Sequence, residues 1–322
     1  MGEKIKIAFR NVSKTFNGTE AVRGVSFEIM EGETLVLIGT SGCGKTTTMK
    51  MINRLVEPSE GEIEIDGRNI YDYDLIELRR NIGYVIQSIG LFPHLSIGRN
   101  VGIIPELMNW RKEKVRARVD ELLSMVGLDP DMYRDRFPAE LSGGQQQRIG
   151  VARALAADPP VVLMDEPFGA LDPITREQLQ NEFLSLVDRI SKTILFVTHD
   201  IFEAARIADR IAIMDKGRIV QLGSPKEIVE EPANEFVFDF LGSHHFQLSL
   251  LLKHIDEVMT GEVDVQLDMD WHDALTPEAS FLDALNYFKR SRSDTVPIKN
   301  PDGKLIGIVE RKAVLDKMGS AA

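Results

Sequence analysis

The chain has 322 residues, of which 43% are hydrophobic and 27% charged, with a formal net charge of −12 and a pI near 5.1. That acidic balance argues against a surface built to neutralise the phosphates of DNA or RNA, and the length fits about two domains. A single cysteine, Cys43, excludes a disulfide framework and points to a reducing compartment. No signal sequence is expected ahead of the first strand, and the longest apolar runs, such as 193–198 and 248–252, fall far below the ~20 residues of a membrane-spanning helix.

The apolar run 34–38 predicts a strand and the polar stretch 46–53 a helix, with Gly-Thr-Ser-Gly-Cys-Gly-Lys-Thr between them at 39–46. This is a Walker A phosphate loop in its strand-to-helix setting. Gly39, Gly42 and Gly44 let the backbone turn tightly so that successive N–H groups face phosphate oxygens, and the following helix adds its positive end. Lys45 is placed to reach the β- and γ-phosphates, and the Thr46 hydroxyl to bind Mg²⁺. The chain is therefore expected to bind a nucleoside triphosphate.

Further along, 112–126 reads as a helix, and no heptad run long enough for a coiled coil separates Gln87 from Leu141. Leu141-Ser142-Gly143-Gly144-Gln145 precedes a predicted helix at 146–157, where Ile149, Ala152 and Leu155 mark one face. Ser142 and the two glycines thus form a second helix N-terminus able to hold phosphate. A nucleotide already held at Lys45 needs such a site from another subunit. The apolar strand 161–165 ends in Asp165, a carboxylate suited to Mg²⁺, and Glu166 follows at once. A second apolar strand, 193–197, is followed by His199.

Taken together, these motifs resemble the ATP-binding cassette (ABC) family over roughly residues 5–240. The resemblance implies an α/β P-loop NTPase fold with an antiparallel β element and a helical signature subdomain, in subunits that pair head to tail around two ATP molecules. It implies nucleotide contacts at Gly39, Thr40, Ser41, Gly42, Cys43, Gly44, Lys45, Thr46 and Thr47. Ser142, Gly143, Gly144, Gln145 and the D-loop Asp172 would contact the nucleotide of the partner subunit. Thr46, Gln87 and Asp165 would serve Mg²⁺, with Glu166 as general base for the attacking water, His199 as switch histidine at the γ-phosphate and Gln87 as the Q-loop glutamine. Phe16 would stack on adenine, with a place in the core as the alternative reading. Cys43 reads as a small loop residue whose position before a helix N-terminus could lower its thiol pKa.

Residues 133–140 lack the Glu- and Gly-rich loop typical of exporters in this family, which indicates an importer. The strings at 46–58, 83–94, 145–157 and 165–175 resemble ATPase subunits of osmoprotectant uptake systems for glycine betaine, carnitine, choline or proline betaine. That likeness implies transmembrane permease subunits, a solute-binding protein and a place on the cytoplasmic face of the membrane. The alternatives are an importer for another small solute, or a soluble ABC ATPase of DNA repair or translation. The latter tend to carry tandem cassettes or long coiled-coil insertions, and neither pattern is present here.

The expected division is a cassette at 1–242, a connector at 243–254 and a small α/β unit at 255–322. In the last, Thr276-Pro277 resembles a helix N-cap and N1 pair, followed by Phe281, Leu285 and Phe288 at helical spacing. Two strands, 295–299 and 304–310, are joined by a turn at 300–303, and a helix starts near Arg311. This order is similar to one CBS (cystathionine β-synthase) motif, a regulatory or dimerisation module for which ionic strength or cyclic di-AMP is the implied signal. Glu310 and Ala313 stand where many nucleotide-binding CBS motifs place a hydroxyl and an Asp, which argues against adenosine in the usual pose. Lys289-Arg290-Ser291-Arg292 reads either as a contact for anionic lipid or as a solvated helix end suited to the C-terminal dipole. His244-His245 lacks the further ligands a metal needs.

Overall fold

Two long strands, β1 (Ile5–Phe16) and β2 (Thr19–Met30), open the first unit as an antiparallel pair. Their turn, Asn17-Gly18, has φ of 46° and 81°, the left-handed pair that a two-residue hairpin requires. The computed structural model describes residues 4–87, 90–169, 180, 192–261 and 273–319. The chain divides into two units, residues 1–224 and 225–322.

In the first unit, β3 (Thr34–Gly39) leads through the phosphate loop into α1 (Lys45–Ile52). Strands β4 (Glu60–Ile65) and β5 (Arg68–Asn69) then join the hairpin in a four-stranded antiparallel sheet of order β2-β1-β4-β5. Helix α2 (Leu75–Arg80), capped by the Asp74 carboxylate, precedes β6 (Ile82–Val85). A helical layer follows, built from α3 (Ile97–Leu107), α4 (Lys112–Met125), α5 (Pro130–Tyr133) and α6 (Gly143–Leu155). The chain returns to the sheet through β7 (Val161–Asp165) and β8 (Thr193–Val197), passes α7 (Ile201–Ile207), and closes with β9 (Arg210–Asp215) and β10 (Arg218–Gly223).

The second sheet has the order β10-β9-β3-β8-β7-β6 and is parallel except for β10. Every residue of β3, β7 and β8 is buried, as expected for central strands covered on both faces. That double burial explains why each reads in sequence as an unbroken apolar run. The carboxyl ends of these three strands deliver the phosphate loop, Asp165-Glu166 and His199 to one edge of the sheet, where ligands of parallel α/β sheets bind.

The expected α/β class, antiparallel element and helical subdomain are all present. One boundary differs in an instructive way. The helix read from residue 146 begins at Gly143, because Ser142 and Gln145 form a reciprocal capping box that outweighs the poor helix propensity of the two glycines.

The second unit contains α8 (Pro225–Glu230), α9 (Glu235–Leu241) and α10 (His245–Leu252), so residues 243–254 are largely helical. His245 Nε2 lies 2.8 Å from the Val229 carbonyl oxygen, tying α10 to α8. Strand β11 (Thr260–Gly261), helix α11 (Phe281–Ser291), strands β12 (Thr295–Lys299) and β13 (Leu305–Glu310), and helix α12 (Arg311–Gly319) complete it. The antiparallel sheet order is β11-β13-β12. Leu250, Ile255, Phe281, Phe288, Val296, Ile298, Val309 and Val314 share its core.

Helix α11 starts at Ser280 and not at Thr276-Pro277. The Ser280 hydroxyl accepts from Asp283 N at 3.1 Å, while Leu275 is held by β12, its N–H donating to the Pro297 carbonyl at 3.0 Å. The basic cluster sits at the end of α11, where Arg290 pairs with Asp273 at 3.1 Å.

Candidate functional site

The phosphate loop is shaped by two glycines that no other residue can replace. Gly39 (φ 152°) and Gly44 (φ 106°) occupy the left-handed half of conformational space, and a Cβ at either would lie 2.1 Å from the Met214 carbonyl or 2.5 Å from the Ala21 carbonyl. A hydrogen-bonded chain fastens the loop from beneath: Gly217 N donates to Cys43 O at 3.0 Å, and Arg23 N to Gly217 O at 2.8 Å. Thr40, Ser41 and Gly42 form the exposed rim of this anchored loop. The backbone is thus set for a ligand by the β9–β10 turn, with little left to reorganise.

Lys45 is 6% exposed, and its ammonium donates to the Gly39 and Thr40 carbonyls at 2.8 and 3.0 Å. A cation held inside the loop by neutral groups suits an incoming anion, which would supply the counter-charge. Cys43 Sγ lies 3.8 Å from Lys45 Nζ, yet burial pushes the thiol pKa up and outweighs the pull of the lysine. The expectation of a lowered thiol pKa is corrected here: the side chain points into the core beneath the loop, with 3% exposure, and not toward the helix end.

Beside the loop, the Thr46 hydroxyl donates to Asp165 Oδ1 at 2.8 Å, and Lys50 Nζ lies 3.9 Å from Asp165 Oδ2. Burial raises the Asp165 pKa, opposed by the Thr46 hydrogen bond and the Lys50 charge. One hydroxyl and one carboxylate on adjoining element ends form a hard oxygen site of the kind Mg²⁺ uses with phosphate and water. Among the described residues no cluster of three or more His, Cys, Asp or Glu could hold a metal. Lys50 escaped the sequence reading. Its spacing four residues beyond Thr46, which puts both on one face of α1, was the available signal.

Next to Asp165, the chain turns sharply: Glu166 has φ 44°, and its N–H donates to Val197 O at 2.9 Å. The turn aims the carboxylate at two other elements. Gln87 Nε2 donates to Glu166 Oε2 at 3.0 Å, and His199 Nδ1 lies 3.4 Å from the same oxygen. Three residues far apart in sequence therefore converge. Among the described residues no hydrogen bond joins Gln87 to Thr46 or Asp165.

Ser142 stands apart from both groups in its bonding. It caps α6, with its Oγ accepting from Gln145 N at 3.3 Å and its N–H donating to Gln145 Oε1 at 3.0 Å, and Gln145 Nε2 reaches Tyr133 Oη at 3.0 Å. Ser142 and Gly143 are exposed, Gly144 is buried, and a Cβ at Gly143 would meet nothing within 4 Å. The helix N-terminus is open to an external ligand. Phe16 is 45% exposed with Lys14 Nζ 4.9 Å from its ring centre, so it is not a core residue. Thr47 is half-buried on α1. Asp172 lies outside the described residues.

Ile86 and Gly90, which flank Gln87 in the chain, line a groove of about 420 Å³ together with Leu55, Tyr84, Phe92 and Arg153, among others. No described helix is long and apolar enough to cross a membrane.

The ABC transporter family profile matches residues 22–169. The chain is 49% identical to the choline transport ATP-binding protein OpuBA of Bacillus subtilis over 94% of its own length and 78% of that protein. It is 45% identical to the glycine betaine uptake system ATP-binding protein YehX of Escherichia coli, over 96% of this chain and 99% of that one. Among solved structures, the dimeric ATP-binding cassette MJ0796, in a post-hydrolysis state bound to ADP and Pi, superimposes with a TM-score of 0.61 at 36% identity, covering 68% of this chain and 98% of that one. The chain belongs to the ABC transporter family, as an ATP-hydrolysing subunit.

Proposed function

We propose that this chain energises an importer of osmoprotectant quaternary amines such as glycine betaine, carnitine or choline. The observation that carries the reading is the convergence of Gln87, Glu166 and His199 beside the Thr46–Asp165 pair, in a chain 45–49% identical to choline and glycine betaine transport subunits.

Lys45 and the loop N–H groups bind the phosphates of ATP, and Phe16 offers its open face to the base. Thr46 and Asp165 would hold Mg²⁺, which would neutralise charge on the phosphates. Glu166 takes a proton from the attacking water through Oε1, because Oε2 is already engaged by Gln87. His199 adds a hydrogen bond at the γ-phosphate. Ser142 to Gln145, with Asp172, meet the nucleotide of a second subunit, which closes two sites in one head-to-tail dimer.

Closure passes to the membrane subunits through the groove beside Gln87, whose apolar lining suits an amphipathic segment of a permease. The protein would then sit at the cytoplasmic face of the membrane, with a solute-binding protein delivering substrate on the other side. The second unit acts as a CBS-like regulatory or dimerisation module, responding to ionic strength or cyclic di-AMP.

Reconstitution with the permease and solute-binding protein of such an importer tests the reading. ATP-dependent uptake of labelled glycine betaine or choline, competed by the other quaternary amines, is the expected result. Uptake of an unrelated solute, with no response to quaternary amines, would reject it.

A further inference from the structure

Phe16 ends β1 at the hairpin turn, and Lys14 stands two residues before it, so both side chains leave the strand on one face. The Lys14 ammonium lies 4.9 Å from the centre of the Phe16 ring. Among the described residues no carboxylate pairs with Lys14, and Glu20, across the hairpin from Thr15, pairs instead with Arg23 at 3.5 Å. In an acidic chain, this cation rests on the negative face of an exposed ring.

That face of the hairpin meets the phosphate loop. Lys14 is paired with Val22 in the β1–β2 ladder, and residues opposite each other in an antiparallel pair share a face. A Cβ at Gly44 would lie 3.4 Å from Val22 Cγ2 and 2.5 Å from the Ala21 carbonyl oxygen, so this part of β2 is pressed against the turn that carries Lys45.

The backbone that bears Lys14 and Phe16 is itself fixed. Thr15 N donates to Ser59 Oγ at 3.1 Å, and Ser59 N donates to the Ser13 carbonyl at 2.8 Å. What is left free is the rotation of an exposed phenyl ring, which has no hydroxyl by which a hydrogen bond could hold it. An ammonium on one face restrains that rotation. It also draws π density toward itself, so the opposite face repels the π cloud of a stacked base less.

We propose that Lys14 is a positioning residue for base recognition: it holds Phe16 by one face beside the phosphate loop and leaves the other face to the adenine of ATP. A ring already in place costs less to order when the base arrives. This rests on the role proposed for Phe16.

The test uses the full-length chain as Lys14→Met and Lys14→Arg, with Phe16→Leu as reference and the Lys14→Met, Phe16→Leu double variant. Calorimetry reads the binding of Mg-ATP and of Mg-tripolyphosphate, which carries the phosphates without base or sugar. Lys14→Met is expected to weaken ATP binding about three- to fivefold and to leave tripolyphosphate binding within about 1.5-fold. Lys14→Arg restores most of the ATP affinity, because a guanidinium also lies over aromatic faces. In the Phe16→Leu background, Lys14→Met should cost nothing further, since the ammonium acts through the ring.

Equal losses for ATP and tripolyphosphate would put the ammonium on the phosphates and overturn the proposal, as would an unchanged ATP affinity or losses that multiply in the double variant. If Lys14→Met is less stable than the parent, Lys14→Gln takes its place on the same readouts. A Phe16→Leu chain that binds ATP as tightly as the parent would instead remove the base-stacking role beneath the proposal, so the two failures are distinguishable.

Discussion

Gln87 donates from Nε2 to Oε2 of Glu166 at 3.0 Å, across 79 residues of sequence. A donor on one carboxylate oxygen holds the side chain in place. Among the described residues no hydrogen bond engages Oε1. Movement of Gln87 would therefore change the orientation of the proposed base. This gives a direct physical route by which the groove beside Gln87 can control hydrolysis.

Replacing Glu166 by Gln tests the base. The amide keeps the volume but cannot accept the water proton, so hydrolysis should slow by on the order of 10²–10⁴-fold. Lys45, Thr46 and Asp165 remain to bind Mg-ATP, and the closed dimer should accumulate on gel filtration with ATP. A variant that turns over at the parent rate under saturating Mg²⁺ excludes Glu166 as the base.

Shared sites can be tested by mixing defects. Chains carrying Lys45→Ala combined with chains carrying Ser142→Arg form one mixed dimer with a single intact site, if Ser142 serves the nucleotide of its partner. Photo-crosslinked ATP should appear in the mixture and in neither variant alone. Demonstrated heterodimers without crosslinked nucleotide would count against head-to-tail sharing.

Cys43 offers a readout of loop order. Because the thiol is 3% exposed and burial raises its pKa, alkylation of the folded chain should run at least about tenfold slower than that of the unfolded chain. The rate should rise with pH through a midpoint above that of a free cysteine, since only the thiolate reacts. Mg-ATP, by holding the loop closed, should slow it further. Equal rates in the folded and unfolded chain would show that the thiol is not enclosed.

The parts of this molecule legible in the sequence share a physical property: local chemistry and tertiary setting agree. The β3–loop–α1 unit, β7 and β8 are buried on both faces and announce themselves as apolar runs with a glycine loop or a carboxylate at the end. Helix starts were harder. Thr276-Pro277 has the local chemistry of a cap, but strand pairing of Leu275 with β12 holds that segment extended, and Ser280 with Asp283 takes over. The meeting of Gln87 and His199 at Glu166 had no local signal at all, because it depends on strand order. The resemblance named each of the three residues but not their meeting, whereas Lys50, one helical turn past Thr46, was open to reasoning from spacing and was missed.

The second unit can be separated from catalysis by truncation, provided the cut respects its core. Leu250 of α10 packs with Ile255, Phe281 and Val309, so a chain ending before residue 255 would leave an apolar helix exposed to water. The boundary after Ser224 avoids this, and the proposed site residues all lie before it. Removing 225–322 should leave basal ATP hydrolysis by the cassette within about threefold of the parent, because none of those residues takes part in the chemistry. What should change is the response of transport to ionic strength or cyclic di-AMP in the reconstituted complex. The competing account is that this unit only holds two subunits together. In that case the truncated chain would regain full activity as its concentration is raised, with an unaltered salt response. Titrating salt and cyclic di-AMP at several protein concentrations separates the two, and transport curves that superimpose for the full and shortened chains would remove the regulatory role.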